Sequence, residues 1–318
     1  MDQTLIQKVE EPVVEDIYLI GTKYITEKQI GSGTFGVVFV GRNKDTGEKV
    51  AIKIESESAK HPQLEFEAKV INRLNNSKVY GVPRIKWFGK QDKYNIMVSS
   101  LLGPSLDEFF IACGKKFTLK TVLMLGVQLL YRIEHIHNAG ILHRDIKPNN
   151  FLMGIGSTGG TVFAIDFGLS KKYITTNGEH IKYNDKKKLL GTARYMSVNC
   201  HIGVEQSRRD DMESLGYMFI YFLKGILPWQ GLTGPPAEKY GKICKKKTNI
   251  SHQTLCVGLP KEFINYFDHV KSLNFSAAPD YKLLRLIFKR LMKKEGFVDD
   301  GIFDWSNLPQ FNCTNFNN

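Results

Sequence analysis

The stretch His143-Arg144-Asp145-Ile146-Lys147-Pro148-Asn149-Asn150 decides how the rest of the chain is interpreted. It follows a long apolar helical pattern and brings an acid, a base and a carboxamide together within eight residues. Asp145 can accept a proton from a hydroxyl nucleophile, and Lys147 can neutralise a phosphoryl group during its transfer. Asn150 offers an amide oxygen to a metal ion. The stretch therefore indicates group-transfer chemistry, which the other motifs must support.

The composition is that of an ordinary globular protein. The chain has 318 residues, 42% of them hydrophobic and 24% charged, and is long enough for two lobes with their own cores. No apolar run approaches the ~18 residues of a membrane span, and we find no secretory signal or lipidation motif. The five cysteines form no C-x-x-C pair and suggest no metal site, and an odd, sparse set of this kind fits a reducing compartment. We therefore expect a cytoplasmic protein, with entry into the nucleus as an open alternative.

The net charge of +12 is unevenly distributed. Residues 1–103 contain 15 basic and 13 acidic groups, whereas residues 104–318 contain 29 basic and 19 acidic groups. Such a field attracts acidic proteins, phosphoproteins or nucleic acid. The simpler interpretation, which we expect for most of the lysines, is a solvated basic surface.

A glycine-rich turn and a lysine-bearing strand mark the first part of the chain. Gly31-Ser32-Gly33-Thr34-Phe35-Gly36-Val37-Val38 lies between two strand-like runs and can expose backbone N–H groups to phosphates. Because a strand follows this turn, the pattern favours a flap over phosphates rather than a dinucleotide site. Lys53 ends the strand Val50-Ala51-Ile52-Lys53 and can pair with Glu67 on a helix predicted over 63–74. The alternatives are an ordinary hairpin turn and a lysine that reaches solvent.

A lobe boundary is predicted near residue 102. Strands predicted over 85–88 and 94–99 are followed by Leu101-Leu102-Gly103-Pro104, where Gly and Pro interrupt the pattern. We divide the chain into an N-terminal extension, an N-lobe, a C-lobe and a short tail, with the bounds 1–22, 23–102, 103–308 and 309–318.

The second part of the chain places a further carboxylate after the opening stretch. A helix predicted over 118–137 is followed by Gly140, which suits a left-handed cap. Short strands are predicted over 151–153 and 162–165. Asp166 then begins an Asp-Phe-Gly motif 21 residues after Asp145, and a carboxylate at a strand end can chelate Mg²⁺.

In their order and spacing these motifs resemble those of protein kinases, with Ile146 in place of the usual leucine of the catalytic loop. Most protein kinases then show Ala-Pro-Glu, whereas this chain has Ser197-Val198-Asn199. That departure is similar to the Ser-Ile-Asn of the casein kinase 1 family of serine/threonine protein kinases, which the sequence resembles over about residues 24–308. The other matching segments are Gly191 to Met196, Glu205 to Gly216, Leu227 to Gly231, Leu102 to Leu106 and Phe303 to Trp305.

The resemblance implies an α+β, two-lobed protein kinase fold, with a small mainly-β N-lobe that has one major helix and a larger mainly-α C-lobe. It implies ATP and Mg²⁺ as cofactors, with Asp145 as catalytic base and Lys147 near the γ-phosphate. Lys53, supported by Glu67, is expected to hold the α- and β-phosphates. Asn150 and Asp166 are the expected Mg²⁺ ligands, and Asp166 also belongs to the ATP site. The other implied ATP-site residues are Ile30, Gly31, Ser32, Gly33, Gly36, Val38, Ala51, Ser99, Leu101, Leu102, Leu152 and Ile165.

The resemblance also implies a preference for acidic or already phosphorylated protein substrates. The basic groups expected to bind a phosphate upstream of the target match Lys187, Arg194 and Lys239, near Gly231. Ser99 stands where the family usually has a larger apolar residue behind the adenine. We therefore expect room for ATP-site ligands with bulky groups.

Three other functions were weighed against an active protein kinase. A kinase-like scaffold would lack Lys53, Asp145, Asn150 or Asp166, and all four are present. No recognised nucleic-acid-binding module occurs, and the substrate-side motifs do not match a small-molecule kinase. We expect a monomer with acidic or phosphorylated protein substrates, no specific nucleic acid and no membrane span.

Overall fold

The computed structural model describes residues 19–33 and 36–309. The predicted extension (1–22) and tail (309–318) therefore lie almost wholly outside the described residues. The chain divides into two compact units. The first comprises Met1–Asn72 and Arg84–Leu101, and the second comprises Arg73–Pro83 and Leu102–Asn318.

The first unit is built on a six-stranded antiparallel sheet. Its strands are β1 (Leu19–Ile20), β2 (Tyr24–Gly33), β3 (Gly36–Asn43), β4 (Lys49–Ser56), β5 (Ile85–Gln91) and β6 (Tyr94–Ser100). The strand order is β1-β2-β3-β4-β6-β5. The strands predicted over 85–88 and 94–99 are confirmed, and both extend further.

The two faces of this sheet have different roles. One face is apolar because alternate residues of β4 and β6 are aliphatic, and side chains on a strand alternate between its faces. Ala51 and Lys53 lie between the aliphatic positions of β4 and so project from the other face. The buried residues on the core face include Val50, Ile52, Ile54, Ile96 and Val98.

The helix predicted over 63–74 is confirmed as α1 (Leu64–Asn76). Its first turn is fixed by Glu55 of β4, which is only 2% exposed. The Glu55 carboxylate accepts hydrogen bonds from the backbone N–H groups of Gln63 (2.7 Å) and Leu64 (3.1 Å). These N–H groups lack partners within the helix. The cap therefore ties the start of α1 to the sheet.

The second unit is mainly helical. Its strands are β7 (Ile141–Leu142), β8 (Phe151–Met153), β9 (Val162–Ala164) and β10 (Lys171–Lys172), and Pro148–Asn150 and Gly156–Thr158 form short 3-10 turns. Its helices are α2 (Leu106–Ala112), α3 (Leu119–Asn138), α4 (Val198–His201), α5 (Arg208–Lys224), α6 (Pro236–Asn249), α7 (His252–Leu255), α8 (Glu262–Ser272) and α9 (Tyr281–Lys294).

The long helices α3 and α5 form the centre of this unit. α3 packs against α5 and α9. Thr118 caps α3 by accepting from Thr121 N, and Asp304 accepts from both Thr118 N and Thr118 Oγ1 at 2.7 Å. The predicted left-handed cap is confirmed, because Gly140 has φ 79°. The stretch from His143 to Asn150 follows this cap and the short strand β7, and it is called the catalytic stretch below because it resembles the kinase catalytic loop.

Candidate active site

In the first unit, four of the expected nucleotide-site residues share one face of the sheet. Val38 lies opposite Lys53, and Ala51 lies opposite Ser99. Directly opposed residues of antiparallel strands point to the same face, as do residues two apart on one strand. The register of strands β3, β4 and β6 therefore brings Val38, Ala51, Lys53 and Ser99 together on the face away from the aliphatic core.

Lys53 and Glu67 form the ion pair that the sequence suggested. Lys53 Nζ lies 2.7 Å from Glu67 Oε2, and the two side chains are 18% and 4% exposed. A pair this well shielded from water is screened less than a surface pair. Glu65, the other acidic residue in the first turn of α1, instead pairs with Lys69 on the helix surface.

The glycine-rich turn joins β2 to β3, with Gly33 opposite Gly36. A Cβ atom on Gly36 would lie 2.1 Å from the Ile54 carbonyl oxygen, and its φ is 117°. Only glycine fits there, because the hairpin crosses so close to β4. The tip, Thr34 and Phe35, lies outside the described residues. The other expected ATP contacts of the first unit, Ile30, Gly31, Ser32 and Leu101, lie along β2 and at the end of the unit.

In the second unit, Asp211 of α5 holds the catalytic stretch in place. It accepts from His143 N (2.8 Å), Arg144 N (2.9 Å) and His137 Nε2 (2.8 Å). Burial alone would raise the pKa of Asp211. The hydrogen bonds and charges of His137 and His143 outweigh burial and hold the pKa below its ordinary value. His137 is itself buried.

Asp145 lies at the centre of the site and is 6% exposed. Its Oδ2 accepts from Lys147 Nζ (2.6 Å) and Asn150 Nδ2 (3.2 Å). Its Oδ1 accepts from the backbone N (3.0 Å) and hydroxyl (2.8 Å) of Thr192. Four donors therefore hold this carboxylate in one orientation, as a general base requires.

Asn150 and Asp166 lie on neighbouring backbone segments. Asn150 donates its amide nitrogen to the Asp145 carbonyl (2.9 Å), which leaves its amide oxygen to face a ligand. The Ile165 N–H donates to the Asn150 carbonyl (3.0 Å), so Asp166 follows directly beside Asn150. One carboxylate and one carboxamide are hard oxygen ligands that suit Mg²⁺ when phosphate oxygens and water complete its shell. Within residues 19–33 and 36–309, no three His, Cys, Asp or Glu side chains form a metal cluster on their own.

The catalytic stretch and the Asp-Phe-Gly motif each contain a residue with a strained backbone. Arg144 and Asp166 have φ of 68° and 62° in the left-handed region. Such conformations cost about 1–3 kcal/mol and persist where surrounding bonds impose them. Arg144 is held by Asp211 and by its own Nε, which donates to the Leu169 carbonyl (2.7 Å).

The remaining residues expected to contact ATP lie in the second unit. Leu102, Leu152 and Ile165 are all half-buried there.

Three of the four residues expected to bind a substrate phosphate line one pocket. Arg194, Gly231 and Lys239 line it together with Asn149 and Thr192. Asn149 belongs to the catalytic stretch and Thr192 binds Asp145, so the pocket adjoins Asp145. Among the described residues, no carboxylate forms an ion pair with Arg194 or Lys239.

Lys187 does not line this pocket. Its Nζ lies 3.1 Å from Glu205, which also accepts from Lys171 Nζ at 2.8 Å. Burial would raise the pKa of Glu205, but the two ammonium groups hold it below its ordinary value. The sequence match grouped Lys187 with Arg194. In the structure Lys187 instead belongs to an ion-pair cluster with Glu205 and Lys171.

The unusual Ser197-Val198-Asn199 segment is bound to α5. Ser197 Oγ and Asn199 Nδ2 donate to Asp210 Oδ1 at 2.7 and 3.2 Å, and Val198 N donates to Glu213 (2.8 Å). Asp210 also accepts from Ser207 N (2.7 Å) at the start of α5. Burial raises the pKa of Asp210 to about 6. The contacts of Asp210 therefore anchor this segment and the start of α5.

Sequence reasoning missed two contacts at the site. Thr192 was not among the predicted site residues, although it donates twice to Asp145. Lys247 was not considered at all. A helical spacing of four from the apolar Ile243 would have placed Lys247 on the inner face of α6.

A sheet unit with a lysine–glutamate pair, followed by a helical unit with this catalytic stretch, defines the two-lobed kinase fold. The α+β fold expected from the resemblance is thus confirmed. The sequence pattern of the family described as "Protein kinase domain" matches residues 24–289. The chain therefore belongs to the protein kinase family and is a phosphotransferase. Protein kinases generally use ATP and Mg²⁺.

No helix within the described residues is both long and apolar enough to span a bilayer.

Proposed function

We propose that this protein is a serine/threonine kinase of the casein kinase 1 family that phosphorylates acidic or phospho-primed proteins. The observation that carries the proposal is the pocket shared by Arg194, Gly231 and Lys239 beside the catalytic stretch. Two cations without carboxylate partners suit a phosphate, for which arginine provides a planar fork and lysine a point charge. Acidic and phosphorylated protein substrates are the partners that such a pocket favours, and the cytoplasm is the compartment we propose.

In the proposed mechanism the residues position groups and balance charge. Asp145 would accept the proton of the substrate hydroxyl, with its orientation set by Thr192 and Asn150. Lys53 would hold phosphates, supported by Glu67. Mg²⁺, held by Asn150 and Asp166, would offset the negative charge of the phosphates. Lys147 would add positive charge beside Asp145 where phosphate is transferred.

The test uses a matched pair of peptides that differ only three residues before the target serine. One carries phosphoserine there and the other carries serine. Transfer of γ-phosphate from Mg-ATP is measured for each peptide, with Asp145→Asn as the blank. We expect kcat/KM to be at least ~10-fold higher for the primed peptide, since charge-assisted phosphate contacts contribute about 1.5–3 kcal/mol.

The Arg194→Ala variant separates the pocket from the chemistry. It is expected to lower turnover of the primed peptide far more than turnover of the unprimed one. Arg290→Ala, on the exposed face of α9, removes the same charge elsewhere and serves as its control. Equal losses on both peptides would refute the phosphate pocket, and absence of transfer despite Mg-ATP binding would refute the kinase activity itself.

A further inference from the structure

Lys247 is a buried lysine beside the substrate pocket. It is the last of three consecutive lysines in α6, and the other two, Lys245 and Lys246, are exposed. Lys247 is only 3% exposed. Its Nζ donates to the carbonyl oxygens of Ala193 (3.0 Å) and Met196 (2.6 Å). Burial lowers the pKa of this ammonium group to about 7.

Burying an ammonium group is unfavourable unless other groups replace its water. Here two carbonyls and two aromatic rings do so, because Nζ lies 4.8 and 4.9 Å from the ring centroids of Tyr217 and Trp229. No carboxylate within the described residues forms an ion pair with it. Lys247 therefore makes its close contacts with backbone and rings, and the Glu213 carboxylate acts on it only through its charge at longer range.

The backbone that Lys247 binds is the segment that carries Arg194. The Arg194 carbonyl accepts from Trp229 Nε1 at 2.7 Å. Lys247 and Trp229 thus bind three of the four carbonyls in residues 193–196. The Arg194 guanidinium carbon lies 5.2 Å from the centroid of the Tyr221 ring, and Arg194 Nη1 is 3.4 Å from Tyr221 Oη. The backbone of residue 194 is thus hydrogen-bonded on both sides of the segment, and the Tyr221 ring packs against its guanidinium group.

We propose that Lys247 is a positioning residue that sets the preference for phospho-primed substrates, by fixing the backbone from which Arg194 enters the phosphate pocket. The inference rests on the proposed function, since it concerns the same pocket. A donor lost beneath this segment would let Arg194 move, and a shift of about 1 Å is enough to weaken a positioned contact. Thr192 is held by Asp145 itself, so catalysis on unprimed substrates depends less on Lys247.

The test compares the primed and unprimed peptides with four proteins: wild type, Lys247→Met, Lys247→Arg and Lys246→Met. Met keeps the volume of Lys247 but removes its donors, and Lys246→Met makes the same change on the exposed side of α6. We expect Lys247→Met to lower kcat/KM for the primed peptide about tenfold and for the unprimed peptide less than about threefold. Lys247→Arg is expected to recover most of the difference, and Lys246→Met to behave as wild type.

The ratio of the two kcat/KM values is the decisive readout, because partial unfolding lowers both values equally. A wild-type ratio in Lys247→Met overturns the role of Lys247, while loss of the ratio in Arg194→Ala would still support the pocket. Absence of any preference in the wild type overturns the pocket and this inference together. If Lys247→Met does not fold, Trp229→Phe removes the donor to the Arg194 carbonyl and keeps an aromatic ring. An unchanged ratio in that variant also overturns the proposal.

Discussion

Asp145 receives hydrogen bonds from two separate segments of the chain. Lys147 and Asn150 belong to its own loop, whereas Thr192 comes from a segment 47 residues later. Gly191 makes this approach possible, because a Cβ atom there would lie 2.8 Å from the Arg144 carbonyl oxygen. The orientation of the base therefore depends on a glycine and a threonine outside its loop.

Thr192→Ala removes one hydroxyl donor to Asp145 and keeps the backbone donor. Hydrogen bonds to charged groups contribute about 1.5–3 kcal/mol, so we expect the rate of phosphoryl transfer to fall about 10- to 100-fold. Single-turnover kinetics at saturating Mg-ATP would measure this step. Thr192→Ser restores the hydroxyl and should restore most of the rate. An unchanged rate in Thr192→Ala would show that the backbone N–H alone orients the base.

Ser99 lies on the same sheet face as Ala51 and Lys53 and is 9% exposed. Ser99→Met would fill the space next to Ala51. We expect the inhibition constants of ATP-site ligands with bulky groups beyond the adenine to rise at least about tenfold, since overpacking costs about 1–3 kcal/mol. Ser100→Met, on the opposite face, serves as the control. Inhibition constants unaffected by Ser99→Met would contradict the proposed orientation of the ligand.

At the scale of elements, the start of α5 anchors the segment that follows the catalytic stretch. Asp210 caps the helix through Ser207 N and accepts from Ser197 and Asn199, while the neighbouring Asp211 binds the catalytic stretch. One helix end thus fixes two loops. Ser197 and Asn199, which replace part of the usual Ala-Pro-Glu, are the donors that make this anchor.

Asp210 should make stability depend on pH. Its pKa is raised to about 6 from 3.8, so the folded state binds this proton more tightly than the unfolded state. Its contribution is full below pH 3.8 and is lost as pH rises through about 6. We expect the unfolding free energy of wild type, relative to Asp210→Asn, to increase by up to about 3 kcal/mol between pH 7 and pH 4.

Urea unfolding of both proteins at pH 7, 6, 5 and 4 would measure this difference. Asp185→Asn changes an exposed carboxylate instead and should track wild type. If the difference between wild type and Asp210→Asn stays constant over this range, Asp210 does not titrate in it.

At the scale of the whole molecule, the net charge of +12 acts on substrate encounter. Residues 104–318, which include the proposed substrate pocket, carry 29 of the basic groups against 19 acidic ones. A positive field raises the local concentration of acidic peptides, and salt screens it over a Debye length of about 10 Å at 0.1 M. This attraction adds to the binding of substrates by the pocket, and it does not depend on any one lysine.

Raising the ionic strength from 50 to 300 mM should therefore increase KM for an acidic peptide about fivefold. The kcat should change little, because the bound complex is shielded. A peptide of the same length with neutral flanks is the control, and its KM should rise less than twofold. Equal salt dependence for both peptides would mean that the basic surface does not steer substrates.

The sequence by itself determined the features whose residues are near each other along the chain. The proposed catalytic residues Asp145, Lys147 and Asn150 fall within one short stretch, and the alternation from Val50 to Lys53 assigns each residue to a sheet face. Capping and periodicity located α1 and α3 to within two residues. Local geometry follows local sequence, because strand and helix periods place neighbouring side chains in known directions.

Only the tertiary structure decided which distant residues meet. Lys187 matched a phosphate-binding position but pairs with Glu205, and Thr192 was found to donate to Asp145, the proposed catalytic base. Three consecutive lysines in α6 are chemically identical in the sequence, yet only Lys247 is buried against residues 193–196. These contacts join segments about 20 to 50 residues apart, and they depend on how the helices pack rather than on any local pattern.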